Sequence, residues 1–157
     1  DDLENADRRA NACATIGRLL SWGVLPIVNE NDTVATEEIR VGDNDNLSAL
    51  VAQLIGADLL VILSDVAGLY PADPREHPDL SPIPLVREIT PELLAAGGGP
   101  GSAYSVGGMG TKLEAASLCL AHGIAVIITD GNQPAVLTGI AEGRVNGTLF
   151  LSEGVQV

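Results

Sequence analysis

Stretches with helical periodicity alternate with short apolar runs along the chain. Between residues 6 and 22, apolar side chains at Ile16, Leu19 and Leu20 fall on one helix face, and Gly23 ends the stretch. Residues 24–28 then form a continuous apolar run, as expected of a buried strand. Applied to the whole chain, the pattern predicts helices at 6–22, 46–55, 91–96, 112–122 and 134–142, strands at 24–28, 59–63, 84–89, 124–128 and 148–151, and a small hairpin at 34–41.

Apolar strands that alternate with glycine-terminated helices are typical of βαβ units. The sequence therefore predicts an α/β fold with a mainly parallel sheet. Five prolines between residues 66 and 84 indicate an excursion outside the core, and Thr90 is the predicted cap of the short helix that follows.

Composition narrows the class of protein. The chain has 157 residues, of which 46% are hydrophobic and 18% are charged, which excludes a disordered protein and fits a single domain. The net charge of −13 argues against nucleic-acid partners and anionic membranes, and no apolar run reaches the roughly 18–20 residues of a membrane span. The start at Asp1 predicts a piece of a longer chain, and Cys13 and Cys119 are expected to be buried, reduced thiols.

Ligands of open α/β sheets bind beyond the carboxyl ends of strands, and this rule selects polar stretches of the chain. Asn29–Asp32 directly follows a predicted strand, and its amide and carboxyl groups could bind the amine and carboxylate of a small substrate or form an ordinary turn. Asp43–Asn46 precedes a helix and could be plain capping residues; Ser48 and Leu54 at the sixth and twelfth positions exclude a calcium loop.

Lys112 is the only lysine of the chain, and it ends a glycine-rich loop at the start of a predicted helix. Glycines expose backbone N–H groups, and the helix N-terminus and the lysine add positive charge, so this loop is a candidate phosphate site. The order of residues is not that of a P-loop. The alternative is a flexible surface loop with a solvated lysine.

Taken together, four stretches of this sequence resemble the glutamate 5-kinase family, a branch of the amino acid kinase superfamily. The resemblance covers roughly residues 24–151 and is carried by Asn29–Asp32, Val41–Ala49, Ser64-Asp65 with the following Gly68–Arg75, and Gly107–Lys112. Kinases of acetylglutamate or aspartate share the nucleotide-side stretches more than the first two.

The resemblance implies transfer of the γ-phosphate of ATP, with Mg²⁺, to the side-chain carboxylate of L-glutamate. This is the first step of proline biosynthesis, with proline as a feedback inhibitor. It also implies a three-layer αβα sandwich, a cytoplasmic location and a homo-oligomeric intact enzyme. The family's first strand, its lysine and its phosphate-binding glycine loops have no counterpart here, so residues 1–157 are expected to be the C-terminal part of a single kinase domain, incomplete at its N-terminal side.

By motif position, the resemblance assigns glutamate binding to Asn29, Asp32 and Asn44. Lys112 would be catalytic, with Asp45 orienting the catalytic lysines, and no residue is assigned to a metal. The nucleotide would contact Ser64, Asp65, Val106, Gly107, Gly108, Met109, Gly110, Thr111 and Lys112.

The sequence departs from the family at Val106, where threonine is usual, so one hydroxyl contact to the nucleotide lacks its side chain. Because phosphoryl transfer needs charge compensation on more than one side, and the chain has one lysine, we expect this chain alone to be inactive. Two alternatives remain at this stage: another kinase of the superfamily, for acetylglutamate or aspartate, and a non-catalytic fragment that binds glutamate or proline.

Overall fold

The computed structural model describes residues 6–29, 43–97, 108–133 and 135–152. Within these ranges helices and strands alternate along most of the chain, as the hydrophobic pattern predicts. The elements are α1 (Ala6–Ser21), α2 (Asp43–Ile55), β1 (Leu59–Ser64), β2 (Leu85–Val86), α3 (Pro91–Gly97), α4 (Met109–Leu120), β3 (Ala125–Asp130), α5 (Val136–Ala141) and β4 (Thr148–Phe150).

The strands form one four-stranded sheet in the order β1-β3-β4-β2. β1 runs parallel to β3 and β2 runs parallel to β4, whereas β3 and β4 are antiparallel. The α/β class and the mainly parallel sheet are confirmed. In the register of the sheet, Ser64 lies opposite Asp130, so the carboxyl ends of β1 and β3 share one edge.

The core lies where α4 and α2 pack together beside the sheet. β3 is buried along Ala125–Thr129, as expected of an inner strand covered on both faces. Phe150 on β4 and Leu113 on α4 are fully buried. The small side chains Ala49, Ala52, Ala115 and Ala116 belong to the same cluster and allow the two helices to approach closely.

The predicted strand at 24–28 is wrong. These residues have no strand structure, and the side chains of Leu25 and Ile27 are 82% and 93% exposed. The Val24 N–H donates to the carbonyl of Leu19 at 3.0 Å and so closes the end of α1. A strand requires a neighbour for its N–H and C=O groups, and no described residue supplies a ladder to this segment.

Two predicted helices begin earlier than expected, and both differences affect the site. α2 begins at Asp43 and α4 at Met109, each three residues before the predicted start. Gly108, at φ 68° and ψ 33°, occupies the N-cap of α4, a left-handed conformation that glycine adopts without steric cost. Gly110 and Thr111 are therefore helical.

Other local predictions have mixed outcomes. The predicted strand at 84–89 is shorter, at Leu85–Val86. Thr90 caps α3, because its hydroxyl oxygen accepts the N–H of Leu93 at 3.3 Å. Cys119 is buried as predicted, but Cys13 is exposed because α1 packs on its neighbours through little of its surface. The hairpin at 34–41 lies outside the described residues, and no described helix is long and apolar enough to cross a membrane.

Candidate active site

An ion pair joins the first turns of α2 and α4. The Nζ of Lys112 lies 3.3 Å from Oδ2 of Asp45, and the two side chains are only 12% and 19% exposed. Asp45 is the third residue of α2, and Lys112 is the fourth residue of α4. The structure thus brings together the two residues to which the resemblance assigns catalytic roles.

Thr111 is the second partner of Asp45. Its hydroxyl donates to Oδ2 of Asp45 at 2.7 Å and also lies 2.8 Å from the carbonyl oxygen of Gly108. The hydroxyl of Ser48, one turn further along α2, donates to the backbone carbonyl of Asp45 at 2.6 Å. Both the side chain and the main chain of Asp45 are therefore held by hydrogen bonds.

The packing of α2 on α4 accounts for this meeting of side chains. Alanines are among the buried residues of both helices, and the amide nitrogen of Gln53 donates to the carbonyl of Leu118 at 3.3 Å across the interface. Because these contacts align the helices side by side, their N-terminal turns meet at Asp45. The positive ends of both helix dipoles thus point toward the same region.

A second group of predicted residues lies at the carboxyl end of β1. Ser64 is 8% exposed, and its hydroxyl is 3.2 Å from Oδ1 of Asp65. The N–H of Gly131, after β3, donates to the carbonyl of Ser64 at 2.8 Å. Ser64 and Asp65 therefore sit where the ends of two parallel strands meet, the position that α/β sheets commonly use for ligands.

A third group contains Asn29 and Asn44, which line one cavity of about 400 Å³ between residues 26–29, α2 and β1. Both asparagines are exposed, while most of the remaining wall is apolar, including Leu47 and Leu59. The structure thus places two of the three predicted substrate-binding residues on one cavity.

For some of the predicted site residues, the structure gives no side chain that faces the site. Asp32, Val106 and Gly107 lie outside the described residues. The side chain of Met109 is 3% exposed and packs in the core, so its backbone is the part that remains near the start of α4. Gly110 is the second residue of that helix.

The Asp73–Arg75 turn, part of the stretch that carries the resemblance, is held by its own ion pair. Nη2 of Arg75 lies 2.8 Å from Oδ2 of Asp73, and the backbone N–H of Arg75 donates to Oδ1 at 2.8 Å. Hydrogen bonds from Arg75 lower the pKa of the Asp73 carboxyl. The turn is consequently shaped locally, within three residues.

Reasoning from the sequence missed one cavity, and it did not foresee the environment of Asn46, a residue of the candidate stretch Asp43–Asn46. A cavity of about 390 Å³ at the carboxyl end of β3 is lined by polar groups that include Thr129, Asp130 and Gln133. Asp130 directly follows the apolar strand, so the rule applied to the other strand ends could have found it. Oδ1 of Asn46 is buried and accepts no hydrogen bond within the described part of the chain; no sequence signal separates it from an ordinary helix cap.

Comparison with known proteins adds to this geometry. A model of the amino acid kinase family matches residues 1–130. The chain is 58% identical over 154 residues to a glutamate 5-kinase of Symbiobacterium thermophilum, covering 98% of this chain and 58% of that protein. It is 50% identical over 157 residues to a glutamate 5-kinase of Deinococcus radiodurans, covering all of this chain and 43% of that protein. The chain therefore spans about half the length of the curated relatives it matches.

Solved structures also resemble the fold. The crystal structure of UMP kinase from Bacillus anthracis aligns with a TM-score of 0.60 and 15% sequence identity, covering 93% of this chain and 52% of the other. At this level of identity the likeness concerns the fold alone.

Proposed function

Because the chain belongs to the amino acid kinase family, we propose that it forms part of a glutamate 5-kinase, which transfers the γ-phosphate of ATP to the side-chain carboxylate of L-glutamate. The observation that carries the proposal is the ion pair of Lys112 and Asp45 between two converging helix N-termini. The identity to relatives named glutamate 5-kinase supports the choice of acceptor.

Lys112 supplies the charge that phosphoryl transfer requires. The transferred group carries negative charge on its oxygens, so catalysis depends on positioning and on preorganised positive groups. The N–H groups of the first turns of α2 and α4 add to the field of the lysine ammonium. In a chain with a net charge of −13, such local positive charge is needed to hold an anionic nucleotide.

Asp45 organises this positive charge. A carboxylate nucleophile such as the side chain of glutamate has no proton to lose, so the reaction needs no general base at Asp45. With Oδ2 engaged by both Thr111 and Lys112, Asp45 holds the ammonium at a fixed place. Its pairing also reduces the rotamer freedom that a long lysine side chain would otherwise retain.

The acceptor binds on the other side of α2. Asn29 and Asn44, on one cavity, offer amide groups to the amine and carboxylate of free glutamate, and Asp32 is proposed to pair with the amine. Asn44 and Asp45 are consecutive residues, so the acceptor cavity and the ion pair adjoin through the start of α2.

The nucleotide is proposed to lie between Ser64-Asp65 and the stretch from Val106 to Lys112. Among the described residues, no three His, Cys, Asp or Glu side chains cluster closely enough to hold a metal ion. As a separate proposal, Mg²⁺ would accompany the ATP phosphates, where it would supply further charge neutralisation.

The remaining proposals concern the whole protein. We propose that residues 1–157 form the C-terminal part of a single amino acid kinase domain; the relatives it matches are longer than this chain. The enzyme serves the first step of proline biosynthesis in the cytoplasm, is inhibited by proline and assembles as a homo-oligomer.

The test is glutamate-dependent formation of ADP and glutamyl phosphate by the full-length protein that carries this sequence. We expect Lys112→Ala to lower kcat by about 10²–10³-fold, the scale of a lost transition-state charge contact. Arg144→Ala is the matched control, because Arg144 pairs with Glu142 on the surface, and it should leave kcat unchanged.

Activity of Lys112→Ala equal to that of the parent would contradict the role of the ion pair. N-acetylglutamate and aspartate serve as competing acceptors in the same assay. A site that pairs a charged amine should reject N-acetylglutamate, since the carboxylate proposed to pair with the amine would lose its charged partner. If the enzyme turns over N-acetylglutamate or aspartate faster than glutamate, the proposal that glutamate is the acceptor is wrong.

A further inference from the structure

We propose that Thr111 is a positioning residue whose hydroxyl holds the Asp45 carboxylate, and through it Lys112, in the geometry needed for transfer. This inference rests on the proposed function. It assigns Thr111 a role different from nucleotide contact, the role that motif position implies for it.

The distances favour the carboxylate as the partner of the Thr111 hydroxyl. A hydroxyl has one proton, and a charged acceptor at 2.7 Å competes better for it than the neutral carbonyl of Gly108 at 2.8 Å. Oδ2 of Asp45 is closer to this hydroxyl than to Nζ of Lys112, which lies at 3.3 Å. The contact of Oδ2 with the Thr111 hydroxyl is therefore shorter than its contact with the Lys112 ammonium.

The placement of Thr111 makes it a stiff support. Thr111 and Lys112 are consecutive on α4, so one helical turn presents both groups to the same carboxylate oxygen. A β-branched side chain has few χ1 choices in a helix, so the Thr111 hydroxyl has few positions available to it. Freely rotating lysine methylenes cannot provide such a restraint alone.

Gly108 has no side chain at the place where a Cβ would contact these groups. A Cβ built on Gly108 would lie 3.6 Å from Oγ1 of Thr111 and 3.9 Å from Nζ of Lys112. The backbone of the N-cap thus approaches the hydroxyl and the ammonium with no side chain between. A phosphate group could approach from the glycine side while Asp45 holds both groups from the side of α2.

A consequence separates the two roles of Thr111. Since the hydroxyl proton is used within the protein, Thr111 has no second proton to donate to a phosphate oxygen. Loss of the hydroxyl should therefore reduce the rate of transfer and leave ATP affinity nearly unchanged. A nucleotide ligand would show the opposite pattern.

The experiment compares Thr111→Val, which removes the hydroxyl at nearly constant shape, with Thr111→Ser, which keeps it, in the full-length protein. We expect kcat of Thr111→Val to fall about 10- to 100-fold, as for a hydrogen bond to a charged group, with KM for ATP within about twofold of the parent. Thr111→Ser should recover most of kcat. Thr15→Val is the matched control. The hydroxyl of Thr15, on α1, donates to the backbone carbonyl of Asn11 at 2.8 Å, so this variant removes a threonine hydroxyl from a helix away from Asp45.

Three outcomes would overturn the inference: a raised KM for ATP at constant kcat, an equal loss in Thr111→Val and Thr111→Ser, or no loss in either. If the parent itself lacks glutamate-dependent transfer, the proposed function fails instead. In that case the NMR signal of the Lys112 ammonium still tests whether Thr111 positions Asp45 and Lys112. This signal is identified as the one that is absent in Lys112→Arg. It should shift in Thr111→Val and not in Thr15→Val, and an unshifted signal would refute the inference. If Thr111→Val does not fold, Thr111→Ala replaces it.

Discussion

The N-terminal region, residues 6–29, and the sheet region, formed by α4, β3 and β4, differ in how many of their side chains are buried. α1 has 16 residues and buries only Ile16. α4 has 12 residues and buries five, among them Leu113 and Cys119. Two causes act together: α1 carries four charged residues where α4 carries two, and α1 packs mainly on α2 whereas α4 packs on α2, α3 and β3.

The two regions also hold their candidate site residues differently. Lys112 and Thr111 belong to a helix that is packed against both α2 and the sheet, so packing restrains the backbone that carries both side chains. Asn29 follows an exposed segment after α1, and α1 itself contacts α2 through few groups, including Sγ of Cys13 at 3.4 Å from the carbonyl of Leu54. The side of the site proposed for phosphate is thus more rigidly supported than the side proposed for glutamate.

Truncation of one leucine in each region should produce the largest difference. Leu113 is fully buried, so Leu113→Ala should lower the free energy of unfolding by about 2–5 kcal/mol. Leu20 on α1 is 47% exposed, and Leu20→Ala should cost less than about 1 kcal/mol. Urea unfolding followed by circular dichroism measures both values. Equal losses would show that α1 is covered as thoroughly as α4.

Glycine substitutions should give a smaller contrast. A Cβ on Gly147 would overlap the carbonyl oxygen of Ile128 and lie 3.0 Å from that of Ala67, so Gly147→Ala should destabilise by about 3 kcal/mol. Gly23, at φ +71°, has nothing within 4 Å of its added Cβ, and only the left-handed backbone strain of about 1 kcal/mol should remain. Thermal melting of the two variants provides the comparison, and a Gly147→Ala protein as stable as Gly23→Ala would disprove the close approach.

At neutral pH the two cysteines should give the smallest contrast, because the ionisation of Cys119 affects stability only above pH 9. Burial raises the pKa of the Cys119 thiol from 9.0 to about 11, so the folded state keeps its proton while the unfolded state loses it. Stability should be unaffected by this thiol below pH 9 and should fall as pH rises from 9 toward 11, by at most about 1.4 kcal/mol per unit.

This pH-dependent part should disappear in Cys119→Ala and persist in Cys13→Ala, which serves as the control. A thiol reagent should modify exposed Cys13 in the folded protein and reach Cys119 only on unfolding. Equally rapid labelling of both thiols would contradict the burial of α4.

Local patterns alone determined the class of fold and most of its elements. Apolar runs at 59–63 and 124–128 became β1 and β3, because side-chain periodicity and glycine stops act over a few residues. The rule that ligand sites of α/β sheets follow the ends of strands also selected, as candidates, the polar stretches that contain Asp45, Ser64 and Lys112. These predictions needed no knowledge of distant contacts.

Tertiary structure decided the rest. The run at 24–28 has the composition of a strand, yet no described strand pairs with it, and the hydrogen-bond partner of a strand is not encoded in its own residues. The bond from Thr111 to Asp45 joins residues 66 positions apart. It exists because alanines let α2 and α4 pack closely enough for their first turns to meet, and such a distance between helices is set by packing across the whole core.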